Sequence, residues 1–130
     1  MSRYVFRFKK LKVYNKANDL WQRLHEISDS LPPAQLDLRD MLRKHSLLIT
    51  LEIVRGASRP ARRKAEGHFR SATRSAELCE SVLIGLTQTG IQFKEIESAV
   101  TEVRALEAML RDIAENIASG ASAPDVFRDA

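Results

Sequence analysis

Apolar residues recur at alternating steps of three and four in four separate stretches of this chain, a period that suits the buried stripe of an amphipathic helix. In the first stretch the stripe is Val13, Ala17, Leu20, Leu24, Ile27 and Leu31. Ser30-Leu31-Pro32-Pro33 ends it, because proline has no N–H with which to continue the helical ladder. The second stretch, from about Ala34 to Arg55, carries Leu38, Met41, Leu42, Leu48, Ile49 and Ile53, with Gly56 at the position of a C-cap. The third can start at Pro60 with Ser58 as its N-cap, and it aligns Ala65, Phe69, Ala72, Ala76, Cys79, Val82, Leu83 and Leu86 before Thr89-Gly90. The fourth places Phe93, Ile96, Val100, Val103, Leu106, Leu110, Ile113 and Ile117 inward and closes at Ser119-Gly120. No strand alternation of useful length and no internal repeat interrupts this pattern.

Four helices joined by short turns are expected to form an all-α, antiparallel up-down four-helix bundle. At 130 residues the chain suits one domain, residues 1–118, preceded by a basic arm (1–11) and followed by a small, polar tail (119–130) expected to be flexible. Trp21 and Cys79 read as core. The second helix has more apolar surface than a bundle needs. From Leu47 to Val54 only Thr50 and Glu52 are polar, so Leu47, Leu48, Leu51 and Val54 require cover on more than one side. Two arrangements provide it: self-association as a C2 dimer or cyclic ring, or a central helix wrapped by its own chain.

Charge is segregated along the chain. Residues 1–74 hold 17 Lys/Arg and 7 Asp/Glu, whereas residues 75–130 hold 4 and 10. On a wheel at about 100° per residue, Arg59, Arg63, Arg70 and Arg74 fall within about 40° of one line, flanked by Arg62 and Lys64. Glu66 is the only acid between Arg55 and Ser75. Cations at a helix N-terminus oppose the helix macrodipole, so these bases are not explained by the stability of their own helix. Arginines around free N–H groups do suit a phosphate. A second acid-free run holds Arg3, Arg7, Lys9, Lys10, Lys12 and Lys16 among Tyr4, Phe6, Phe8 and Tyr14. Those aromatics either stack on bases or anchor the arm to the bundle. Charge alone leaves two partners open, a nucleic acid or an acidic protein.

Several kinds of chemistry lack their residues. No Glu-x-x-His di-iron motif, His-Glu-x-x-His, Walker A loop, G-x-G-x-x-G or G-x-S-x-G occurs. His25, His45 and His68 lie on three different helices and read as surface or half-buried structural residues. Cys79, the lone cysteine, can form neither an internal disulfide nor a zinc site. No metal, cofactor or catalytic activity is therefore expected. No run of about 18 apolar residues could cross a bilayer, and the opening residues do not read as a signal peptide, which leaves a cytoplasmic location as the default expectation.

Phe8-Lys9-Lys10-Leu11-Lys12-Val13-Tyr14-Asn15-Lys16-Ala17 resembles the opening aromatic-x-x-Leu-x-Val-Trp-x-x-Ala pattern of the bacterial four-helix-bundle proteins encoded within intervening sequences of large-subunit rRNA genes, with Tyr14 for the tryptophan. Leu42-Arg43-Lys44, Ile49, Ile53, Gly56 and Arg59 resemble that family's second-helix signature, Leu-Arg-Arg followed by Asn-Ile-Ala-Glu-Gly-x-x-Arg. Glu66, Phe69, Ala72 and Ser75 fit its third-helix pattern more loosely, and the resemblance spans about residues 6–118. Glu52 and Arg55 stand where the family has Asn and Glu. The chain is similar, more weakly, to the accessory variability proteins of diversity-generating retroelements. The resemblance implies a homo-oligomer, expected as a pentamer, with a role on RNA or DNA or beside a reverse transcriptase. The bases expected to meet phosphate are then Lys9, Lys10, Lys12, Lys16, Arg43, Lys44, Arg55, Arg59, Arg62, Arg63, Lys64, Arg70 and Arg74. Leu47, Leu48, Leu51 and Val54 are the expected interface between copies.

Overall fold

A computed structural model describes residues 11–58, 61–91 and 93–120, without the Phe93 side chain. Lys9, Lys10, Arg59, Pro60 and the tail from residue 121 lie outside the described residues. Four α-helices and no strand occur among those described: α1 (Lys12–Asp29), α2 (Leu36–Ala57), α3 (Arg62–Thr87) and α4 (Phe93–Ala118), with a 3₁₀ turn at Pro33–Gln35 leading into α2. Close backbone approach joins α1 to α2, α2 to α3, α3 to α4 and α4 back to α1, whereas the backbones of the two diagonal pairs stay more than 8 Å apart among the described residues. Short connections make sequential neighbours antiparallel, so the chain forms a square up-down bundle. The α3–α4 seam is the most extensive and the α1–α4 seam the thinnest.

The stripes read for α1, α3 and α4 are buried, whereas on α2 only Leu42, Ile49 and Ile53 are, with Leu38 and Leu48 half-buried. Val13, Ala17, Leu20, Leu24, Ile27 and Leu31 face inward from α1 and its C-terminal turn. All eight apolar residues expected from α3 are buried, as are the seven from Ile96 to Ile117 on α4. Each fully buried leucine or isoleucine contributes about 1.5–3 kcal/mol relative to exposure. Phe69, with no exposed surface, is the largest of the fully buried side chains. Two residues expected inside reach the surface. Met41 is 38% exposed, being on the outer side of α2, and Trp21 is half-buried, its ring 6.0 Å from the His25 ring at the bundle surface.

The corner between α2 and α3 differs from its sequence reading. Gly56 is inside α2, which continues to Ala57, and it has no positive φ. Its role is close approach: a Cβ at Gly56 would lie 2.8 Å from Phe69 Cε2 and 3.2 Å from His68 Cβ. Only a residue without a side chain lets α2 cross α3 at that distance. Ser58 caps the end of α2, donating from Oγ to the Val54 carbonyl at 2.7 Å, and does not cap α3. α3 starts at Arg62, after an extended Ala61 that supplies no side-chain cap. Gly90 (φ 76°) and Gly120 (φ 92°) do adopt the left-handed conformation after α3 and α4, where other residues would be strained.

Candidate nucleic-acid interface

In an up-down bundle the first and third helices start at the same end, where the second and fourth finish. Lys12 and Lys16 of α1 therefore share an end of the molecule with Arg55 at the close of α2 and with Arg62, Arg63 and Lys64 at the start of α3. The sequence separates these groups by some forty residues; antiparallel packing reunites them. Their bonding divides them. Lys12, Lys16, Arg62, Arg63 and Lys64 are exposed and make neither a side-chain hydrogen bond nor an ion pair with another described residue. Lys44, exposed on α2 away from that end, has no such bond either among the described residues.

The other candidate bases are engaged within the bundle. Arg43 donates from Nε to Ser28 Oγ at 2.8 Å and forms an ion pair with Asp29, tying α2 to the end of α1. Ser28, which has no exposed surface, donates its own hydroxyl proton to the His25 carbonyl at 2.7 Å. Arg55 bonds Glu52 at 2.7 Å, and Arg70 bonds Glu66 at 2.6 Å, one helical turn away. Arg74 donates to Ser71 at 2.9 Å and lines a shallow groove with Arg70, Thr73, Glu77, Arg111 and Glu115. In the C-terminal half of the stripe drawn on the wheel, Arg70 thus meets an acid and Arg74 a serine. Its acid-free part contracts, among the described residues, to Arg62, Arg63 and Lys64.

Glu52 organises the corner behind them. Its carboxylate accepts from Arg55 and, at 2.8 Å, meets Nδ1 of His68 on α3. Burial alone would raise the Glu52 pKa, but the hydrogen bonds from His68 and Arg55 outweigh it and hold the group below its ordinary value. Glu52 and Arg55, one turn apart on α2, thus bond to one another.

The electrostatic oddity at the start of α3 also gains a partial cause. The Arg62 guanidinium reaches the end of α4, where a Cβ at Gly120 would lie 3.6 Å from its Nη1. The negative end of α4's dipole offsets the unfavourable position of Arg62 on α3.

The apolar excess on α2 is divided in the same way. Leu47 and Leu51 are 43% and 39% exposed, while Leu48 and Val54 are half-buried. Leu36, 45% exposed, falls on the Leu47 face of the helix, since eleven residues rotate it by only about 20°. The described residues do not wrap the second helix: an outer row of leucines stays open to solvent.

The histidines behave as structural residues. His25 is exposed, His68 is bonded to Glu52, and half-buried His45 is held below its ordinary pKa by burial and by nearby Lys44. Among the described residues no group of three metal-ligating side chains converges, and no helix is long and apolar enough to cross a membrane. The Cys79 thiol is buried and pushed up to about 12, by burial first and by the Glu107 charge second, so it is a poor nucleophile. One feature escaped sequence reasoning altogether: Glu107 is 4% exposed and packs among the acids of α3. A signal for it exists, since Glu107 lies at i+4 from Val103 and i−3 from Leu110, inside the apolar stripe of α4. Neither a family model, nor a curated protein, nor a solved structure matches the chain.

Proposed function

We propose that the chain is a non-catalytic, cytoplasmic, oligomeric accessory protein that binds nucleic acid, RNA above all, through the basic end of its bundle. The observation that carries this reading is the contrast between engaged and free bases. Arg43, Arg55 and Arg70 hold intramolecular acids, whereas Lys12, Lys16, Arg62, Arg63 and Lys64 project from one end without a partner among the described residues. Exposed like charges gathered at one end repel one another, with only Asp112 and Glu115 of α4 as exposed acids in the last turns that finish there, and a polyanion relieves that repulsion. Lys9, Lys10 and Arg59 adjoin this end in sequence and belong to the same proposed surface.

The open leucine row on α2 supports assembly of several copies, with Leu47, Leu48, Leu51 and Val54 at the contact; the family resemblance suggests five. A ring would repeat the basic end around one rim, multiplying weak phosphate contacts by valency. A reverse transcriptase is the protein partner that the resemblance suggests.

Salt dependence tests the reading. Binding to a structured RNA should weaken steeply with salt, and neutralising Arg62, Arg63 and Lys64 should lower the slope of log affinity against log salt by about 0.7–0.9 for each phosphate that is then left without its cation. The same change at Arg70 should alter it little, because its guanidinium already holds Glu66. Absent or salt-insensitive binding refutes the proposal. Capture of an acidic protein by the same three residues, without RNA binding, would make the chain an adaptor instead.

A further inference from the structure

Glu107 is the only buried carboxyl group among the described residues. Its Oε1 accepts a long hydrogen bond from Arg111 Nη2 at 3.3 Å, but its Oε2 is fully enclosed and meets no donor. Across the α3–α4 seam the neighbouring polar group is the Glu80 carboxyl, which interacts with the Glu107 carboxyl and itself accepts from Arg104 Nε at 2.9 Å. Two ionised carboxylates offer each other only lone pairs. One proton between them turns a repulsion into a strong hydrogen bond.

We propose that Glu107 keeps its proton in the folded bundle and donates it to Glu80, so that the α3–α4 seam carries a proton-held clasp that weakens as the medium turns alkaline. The surrounding charges favour this division. From α3, Glu77 and Glu80 face Glu107, and the thiol of Cys79 lies close behind; from α4 itself, Arg111 reaches Glu107 and Glu77, while Arg104 reaches Glu80. On α1, the other helix packed against α4, Arg23 is bonded to Glu102 and Ser98, more than a turn away. Burial is the largest influence on Glu107 and, with Glu80 and Glu77, outweighs Arg111, so its pKa is pushed up to about 7. Glu80 is held below its ordinary value by the hydrogen bond from Glu107 and then by Arg104 and Arg111, against its own burial. The proton therefore resides on Glu107 and the charge on Glu80, next to the two arginines.

The direction of the pH effect follows. The unfolded chain loses the Glu107 proton near the ordinary value of 4.5, whereas the folded chain keeps it to about 7. Between those values the native state binds a proton that the unfolded state has lost, so stability falls as pH rises through the window and levels off above it. Urea denaturation should show a lower midpoint at pH 8 than at pH 5 for the parent chain. Glu107→Gln keeps the shape and supplies an amide donor to Glu80, so its midpoint should change less over the same range. Contributions common to both proteins cancel in the comparison. Parallel curves for the two proteins overturn the proposal. Should Glu107→Gln fail to fold, the carboxyl carbon resonance of Glu107 decides: a titration midpoint near 7 supports the clasp, and one near 4.5 overturns it. Glu80→Gln should move that midpoint down, because its amide can donate to an ionised Glu107; an unmoved midpoint would also overturn the proposal.

Discussion

Replacing Gly56 by alanine sets two opposed effects against each other, and the structure decides between them. Alanine in a helix interior is favoured over glycine by about 1 kcal/mol, because the unfolded chain loses less backbone freedom on folding. The new methyl, however, would stand 2.8 Å from Phe69 Cε2, 3.0 Å from Phe69 Cδ2 and 3.2 Å from His68 Cβ. Carbon atoms in optimal contact lie about 3.5–4.0 Å apart, so the overlap with Phe69 is on the order of 1 Å. Phe69 cannot swing away, since it has no exposed surface and is the largest of the fully buried side chains. Relief requires α2 and α3 to separate, which loosens the ring's packing and disturbs the Glu52–His68 bond that joins the two helices. Overpacking of this kind costs about 1–3 kcal/mol. Gly56→Ala should therefore be destabilising by about 0–2 kcal/mol in net, and Gly56→Val by more. Gly67→Ala provides the control: the same substitution, in the interior of α3, meets nothing within 4 Å. It should stabilise by about 0.5–1 kcal/mol. Urea denaturation of the parent and the two alanine variants under identical conditions reads the difference directly. A Gly56→Ala protein as stabilised as Gly67→Ala would refute the close approach as the reason for glycine.

Two further outcomes test the surface and the core. Leu47→Asp with Leu51→Asp should reduce the mass seen in light scattering to the 14.7 kDa of a single chain, while changing the stability of the monomeric bundle by no more than about 0.5 kcal/mol per site. An unchanged mass would exclude that leucine row as the contact between copies. Cys79, buried and with its thiol pushed up to about 12, should resist a thiol-specific reagent in the native protein and react at once in denaturant; rapid native labelling at neutral pH would show that the α3–α4 seam opens far more readily than its packing allows.

The helical stripes were legible in the sequence because they are a local property: burial repeats with the turn of the helix, and each stripe needs only its own segment to reveal it. The corner at Gly56 was not, because both a C-cap and a close helix crossing call for glycine, and only Phe69, thirteen residues later, distinguishes them. Ser58 was misplaced for a related reason: the same hydroxyl can cap the helix that ends or the helix that begins. For the candidate interface, composition revealed the surplus of bases but not which of them are free. Arg43 and Arg63 are alike as letters, yet one bonds Ser28 and Asp29 and the other meets no acid among the described residues. That difference depends on which acids the fold brings near, and those acids lie on other turns or other helices. Glu107 was passed over because a charged residue in an apolar stripe reads as an interruption, whereas here it is part of the packed surface.

Paired antiparallel helix dipoles cancel at each end of the bundle, so its electrical polarity is set by side chains. Lys12, Lys16, Arg62, Arg63 and Lys64 lie towards one pole, offset in part by Asp112 and Glu115, while Glu26, Asp29, Asp37, Asp40, Glu95 and Glu97 lie towards the other, offset in part by Arg39 and Lys94. In a non-uniform external field such a body is turned before it is touched. Approaching any highly charged surface, it would rotate while still about a Debye length away, roughly 8–10 Å at ordinary ionic strength. Its first collision would then be made pole-first, and the search over orientations that slows most macromolecular encounters would be shortened by torque alone.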